Sequence, residues 1–116
     1  MIQPADIREW RDHNVVDSKG HKIGALEAVY VDTATDEPAM ATVKTGLPTR
    51  QRLVFVPVDD AVVGPDYLKV PYEKGTVRKA PSISMDGVLP VEYEQTIFQY
   101  YGMARPGGGG RHLARR

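Results

Sequence analysis

The chain has 116 residues, 41% hydrophobic and 26% charged, which suffices for one domain with one core and excludes a disordered chain. It contains no cysteine, so a disulfide framework, a thiolate metal site and a cysteine nucleophile are ruled out, and a reducing, cytoplasmic setting fits. Fifteen basic and fifteen acidic residues cancel overall, but the last fourteen positions carry Arg105, Arg111, Arg115 and Arg116 and no acid, leaving eleven bases against fifteen acids, a net of −4, in the body; an acidic body argues against a nucleic-acid-binding face.

Residues 4–12, PADIREWRD, suit a short helix. Pro4 falls in its first turn, where a missing N–H costs nothing, and Ile7 and Trp10 share a face. From residue 14 the pattern changes to strands and turns. NVVDSKGHKIG predicts a strand at 14–16, a tight turn through Asp17, Ser18, Lys19 and Gly20, and a second strand from Lys22. In that second strand Ile23, Leu26, Val29 and Val31 are spaced three, three and two apart. An unbroken strand keeps parity, so a β-bulge or sharp bend is expected between Gly24 and Glu27. The same spacings would also suit a helix, but the β-branched content and the turn DTATDEP favour a strand.

PAMATVKTG, RLVFVPV and DYLKVPY continue as strands between turn-rich segments, with Pro57 and Pro71 expected at strand ends or edges and GPD at 64–66 as a hairpin turn. Ala39, Ala41 and Val43 alternate with Met40, Thr42 and Lys44, as in a half-buried strand. YEKGTVRKAP predicts one irregular helical turn ending before Pro81. LPVEYEQTIFQYYG, residues 89–102, is the clearest helix, with Pro90 at its start, Glu92 and Glu94 near its N-terminus and Gly102 at a left-handed C-cap. The fold class expected is mainly β: a small antiparallel β-barrel of about six strands with a short N-terminal and a C-terminal helix. The domain is expected to span 1–102, with 103–116 as a disordered Gly/Arg-rich tail.

NVVDSKGHKIGALEAVYVD, VFVPVDDAVVG and YLKVPYEKGTVRKAP, in that order, resemble the PRC-barrel family, named for the cytoplasmic domain of the photosynthetic reaction centre H subunit. They are similar to the family's V-x-D-x-x-G turn, its following I-G strand ending in Asp, and its V-P strand before a last hairpin. The resemblance covers roughly residues 12–81, and YEQTIFQYYG is similar to the tail of stand-alone bacterial members. It implies a six-stranded barrel and a role in protein interaction, including a version attached to a ribosome-maturation factor. It supplies no catalytic residues.

No constellation of residues adds a reaction to that. His13, His21 and His112 have no helical metal-site spacing, the acids at 35–37 and 59–60 lack a calcium-loop pattern, and Gly107–Gly110 follow no strand and precede no Gly-Lys-Ser/Thr. Ser18, Ser82 and Ser84 are the only serines, and none stands in a nucleophile elbow. The expectation is therefore no enzyme activity, no cofactor and no metal. Four of the nine aromatics fall in the last helix, so Tyr93, Ile97, Phe98, Tyr100 and Tyr101 are the candidates both for covering the barrel and for joining a second copy in a homodimer. Arg105, Arg111, Arg115 and Arg116 are candidates for an electrostatic tether to nucleic acid, acidic protein or anionic lipid. No run of about eighteen apolar residues occurs, and the N-terminus has no apolar signal region, so neither a membrane span nor export is expected. The function expected is a non-enzymatic, cytoplasmic protein-interaction module that self-associates. The alternatives are an RNA-associated factor in ribosome maturation and a small-ligand binder.

Overall fold

The computed structural model describes residues 10–103 and 112–115. Strands dominate, as composition and turn signals predict: β1 (Asn14–Val16), β2 (Lys22–Asp32), β3 (Pro38–Thr45), β4 (Arg52–Pro57), β5 (Val62–Val63), β6 (Tyr67–Lys69), β7 (Ser82–Ile83) and β8 (Leu113–Arg115), with helices α1 (Lys74–Arg78) and α2 (Tyr93–Tyr100). The helix expected over residues 4–12 lies, apart from its last three residues, outside the described residues. Trp10 is buried in the core.

The strands form one sheet in the order β5-β6-β1-β2-β3-β4-β7, with β8 beside β2. All its pairings are antiparallel except β1 with β6, which is parallel. Among the described residues the sheet does not close into the expected six-stranded barrel, because its end strands β5 and β7 are not hydrogen-bonded to each other. It does roll up. Val15 from β1, Val43 from β3, Val56 from β4 and Leu68 from β6 belong to a single inner core, and Val77 of α1 fills it.

The rolling starts in β2. Against β1 its register slips at Ile23, since Val15 faces Gly24 and Val16 faces Lys22. Against β3 it slips again at Glu27, between Leu26 and Ala28, and once more between Tyr30 and Val31, where the extra residue, Ala39, is on β3. Each extra residue on β2 switches which of its side chains point inward. Two switches therefore put Ile23, Leu26, Val29 and Val31 all in the inner core, despite their odd spacing. Gly24 sits where the strands press together, and a Cβ there would run into the carbonyl oxygen of Lys44 and approach Val43 Cγ1 to 2.9 Å.

The first turn is built on Asp17. Its carboxylate accepts the backbone N–H of Lys19 (2.9 Å) and His21 (2.8 Å) through Oδ1 and that of Lys74 (3.2 Å) through Oδ2, while Gly20 supplies the positive φ of +85°. The hairpin turn is thereby tied to the start of α1.

β3 and β4 are buried on both faces rather than one. Ala41, Val43, Val54 and Val56 point inward, and Met40, Leu53 and Phe55 point outward into a second apolar cluster. α2 makes the second face possible by laying Ile97 and Phe98 on it. The helix starts at Tyr93, three residues after Pro90, and ends as its sequence predicts: Gly102 has a φ of +67°. Gly102 N–H donates to Gln99 (3.0 Å) and Met103 N–H to Phe98 (2.9 Å), the paired bonds of a Schellman cap.

Residues 113–115 correct the expectation of a structureless tail. β1 pairs with β2 only as far as Ala25, which leaves the same edge of β2 open further along. β8 fills it, antiparallel, with Tyr30 opposite Arg115, Val31 opposite Ala114 and Asp32 opposite Leu113. The expectations for Arg105, Gly107–Gly110, Arg111 and Arg116 fall outside the described residues.

Candidate interaction surfaces

The five candidate residues in and just after α2 divide according to what they face. Ile97 and Phe98 are buried against the chain's own sheet and Tyr93 is half-buried beside them. Tyr101 turns the other way, toward the inner core. Its hydroxyl donates to the Phe55 carbonyl at 2.6 Å. Its ring meets Tyr72 and Tyr100 edge-on at centroid distances of 4.9 and 5.0 Å. Burial pushes the Tyr101 hydroxyl far above the ordinary tyrosine range, and the neighbouring Tyr100 and Tyr72 phenols add to it. Tyr100 is 40% exposed, although its hydroxyl donates to the Thr76 carbonyl at 2.5 Å and so links α2 to α1. Of the five candidates, Tyr100 presents the most surface to a partner.

Other apolar surface is exposed where the sequence drew no attention. Val62 and Val63, the whole of β5, are 59% and 41% exposed. Among the described residues β5 pairs only with β6, so its other side is the end of the sheet. Unpaired edges of this kind are templates for strand addition. Met85, Val88 and Val91, in the connection leading to α2, are also exposed.

Several charged side chains serve the fold. Arg115 forks onto Glu27: Nη1 donates to Oε1 at 2.8 Å, and Nη2 donates to Oε2. Glu27 also accepts the Thr42 hydroxyl at 2.8 Å. Burial raises the Glu27 carboxyl, but the Arg115 fork, the Thr42 hydroxyl and the charges of Arg115 and Arg11 hold it below its ordinary value. Arg115, expected in an electrostatic tether, is thus engaged with the chain's own sheet; the other three tail arginines are not among the described residues. Glu94, buried in α2, accepts Leu113 N–H at 3.2 Å and lies 3.7 Å from His112 Nδ1. Asp59 stands near Asp60 and Glu37, and burial followed by those two charges raises its carboxyl.

Among the described residues no group of three or more His, Asp or Glu could hold a metal ion, and no helix is long and apolar enough to cross a membrane. His21 lies 3.5 Å from Asp17. Among the described residues, His13 Nδ1 is buried with no hydrogen-bond partner.

Comparison with known proteins bears on the first two thirds of the chain. The model of the PRC-barrel domain matches residues 5–77, a stretch that contains β1 to β6 and α1 up to Val77. A search of curated proteins finds no match. Because the match covers more than half of the sequence and six of the eight strands of the rolled sheet lie in that same stretch, this chain belongs to the PRC-barrel domain family.

Proposed function

We propose that the domain is a non-enzymatic, cytoplasmic protein-interaction module that pairs with a second copy of itself through the edge of β5. The observation that carries this reading is the exposure of Val62 and Val63 on a strand paired on one side only among the described residues. Two such edges meeting antiparallel about a two-fold axis would satisfy each other's backbone groups and cover four valines, the simplest closed arrangement for a self-complementary patch. A strand of two residues makes a small contact, so the pairing belongs with weak, reversible association. The non-enzymatic reading is supported by what the ionisable groups do: Asp17 caps a turn, Glu27 holds Arg115, and Glu94 holds β8.

Light scattering across a dilution series tests the proposal. The wild type should show a dimer mass at high micromolar concentration and a falling mean mass on dilution. The double variant Val62→Lys, Val63→Lys should remain monomeric, because lysine on an exposed edge opposes pairing. A folded wild type that stays monomeric throughout, or a lysine variant that dimerises as well as wild type, would remove the β5 edge from this account.

A further inference from the structure

We propose that the β2 edge occupied by β8 is an exchangeable docking site, and that its partner in trans is the same segment, residues 112–115, of a second copy. The proposal does not rest on the β5 edge.

The site reads its occupant at every position. His112 N–H donates to Thr33 Oγ1 and its carbonyl accepts Thr33 N–H, both at 2.9 Å. Leu113 enters the outer cluster beside α2 while its N–H donates to Glu94. Ala114 packs against the inner core, opposite Val31. Arg115 forks onto Glu27, which the register slip at that residue leaves beside the groove. Backbone ladder, apolar contact, small residue and bidentate ion pair together define a recognition site for an extended apolar-small-Arg segment. This is the logic of strand addition to a sheet edge.

Nothing in that set of contacts depends on β8 arriving from its own chain. The connection is residues 104–111, eight residues that include four consecutive glycines. Fully extended, the step from Met103 to His112 reaches about 30 Å, against body dimensions of 36 × 30 × 25 Å, so a tail of this length can cross to a neighbouring molecule. In cis the segment works at an effective concentration on the order of millimolar. Exchange between copies therefore emerges at comparable protein concentration, or when the cis pairing is weakened while the trans pairing is kept. Reciprocal exchange of an identical element is a low-cost route to a dimer.

Charge reversal on the full chain isolates this exchange. Glu27→Arg has an intact tail and a reversed site; Arg115→Glu has an intact site and a reversed tail. Each alone places like charges at the fork. Mixed, each tail finds an opposite charge on the other molecule and both forks are restored in trans. Native mass spectrometry separates the species, because the two variants differ in mass. The expected result for an equimolar mixture is a heterodimer in clear excess over the statistical half of all dimers. Pairing through β5 does not distinguish the variants and would give only that half. The double variant Glu27→Arg, Arg115→Glu, with its fork restored in cis, should show no such excess when mixed with wild type. If either single variant is unfolded alone, mixing should recover its far-UV circular dichroism. Heterodimer at or below the statistical share, or a mixture that stays unfolded, overturns the proposal.

Discussion

Ile97→Ala is the sharpest test of how α2 holds the molecule together. Ile97 is fully buried, in one cluster with Tyr30, Met40, Leu53 and Phe55 of the sheet and Phe98 of its own helix. The substitution removes three buried carbons, about 2.4 kcal/mol at roughly 0.8 kcal/mol each. A cavity term adds to this, because strands ordered on both sides relax little, so a loss of about 3–4 kcal/mol is expected. Against a whole stability of about 5–15 kcal/mol for a small domain, that is a large share. In urea, with a slope of about 1.5 kcal/mol per molar, the midpoint should fall by about 2 M without a change in slope. Val91→Ala supplies the contrast: Val91 is 51% exposed just before α2, and a surface change there should stay within about 0.5 kcal/mol. Equal midpoints for the two variants would mean that α2 does not rest on the sheet, and the second core would have to be abandoned.

Two further outcomes follow from the turn and strand chemistry. Gly24→Ala should destabilise by about 1–3 kcal/mol, since the new Cβ meets the Lys44 carbonyl and Val43, whereas Gly75→Ala in α1, where a Cβ meets nothing within 4 Å, should stabilise by about 0.5–1 kcal/mol; a Gly24→Ala thermal midpoint at or above that of wild type would refute the close approach at Gly24. The acid limb of stability should depend on Asp17 and Asp59 with opposite signs. Burial raises the Asp17 carboxyl, but the N–H groups of His21, Lys19 and Lys74 and the His21 ring bring it below its ordinary 3.8. Its contribution is therefore present above that value and lost as pH falls through the lower folded-state pKa, and Asp17→Asn should lower neutral stability and flatten the acid limb. Asp59 is raised above 3.8 by burial, Asp60 and Glu37, so its carboxylate opposes folding at neutral pH. Asp59→Asn should raise the urea midpoint at pH 7, with the gain fading as pH falls toward 4.

How far the sequence carried depends on the range of the forces involved. Local chemistry was legible: the Asp17–Gly20 turn, the hairpin at 64–66, the short helical turn after Tyr72 and the Gly102 cap are set by residues within a few positions of one another. The odd spacing of Ile23, Leu26 and Val29 pointed to a register change in β2, and one slip lies at Glu27, inside the expected stretch. The second, at Ile23, was implied by the same spacing, since two odd steps need two switches. Two-sided burial of β4 had a signal too: the unbroken run Leu53–Val56 suits a strand covered on both faces better than one half-exposed. β8 was not legible. The segment Leu113–Arg115 has no periodicity, and it is a strand only because the distant edge of β2 stands open beside it.

The two cores also divide the chain in a way that bears on function. Every fully packed member of the inner cluster, from Trp10 to Val77, lies in the segment that matches the family. The outer cluster does not: Ala28, Tyr30, Met40, Leu53 and Phe55 come from that segment, but Ile83, Ile97 and Phe98 come from beyond it. The rolled sheet can therefore satisfy its concave face alone, while its convex face carries a tyrosine, a phenylalanine, a methionine and a leucine that must be covered. Left bare, such a patch would exceed what a soluble domain ordinarily exposes and would seek a partner. Here α2 and Leu113 cover it. Cover by α2 is held by a helix, a Schellman cap and the Tyr101 bond to Phe55. The part supplied by β8 rests on three paired residues, the hydrogen bonds of Leu113 to Glu94 and of His112 to Thr33, and one ion-pair fork. Of the two, the shorter segment opens at lower cost, so the convex face is expected to become available from the β2 edge first, with α2 still in place.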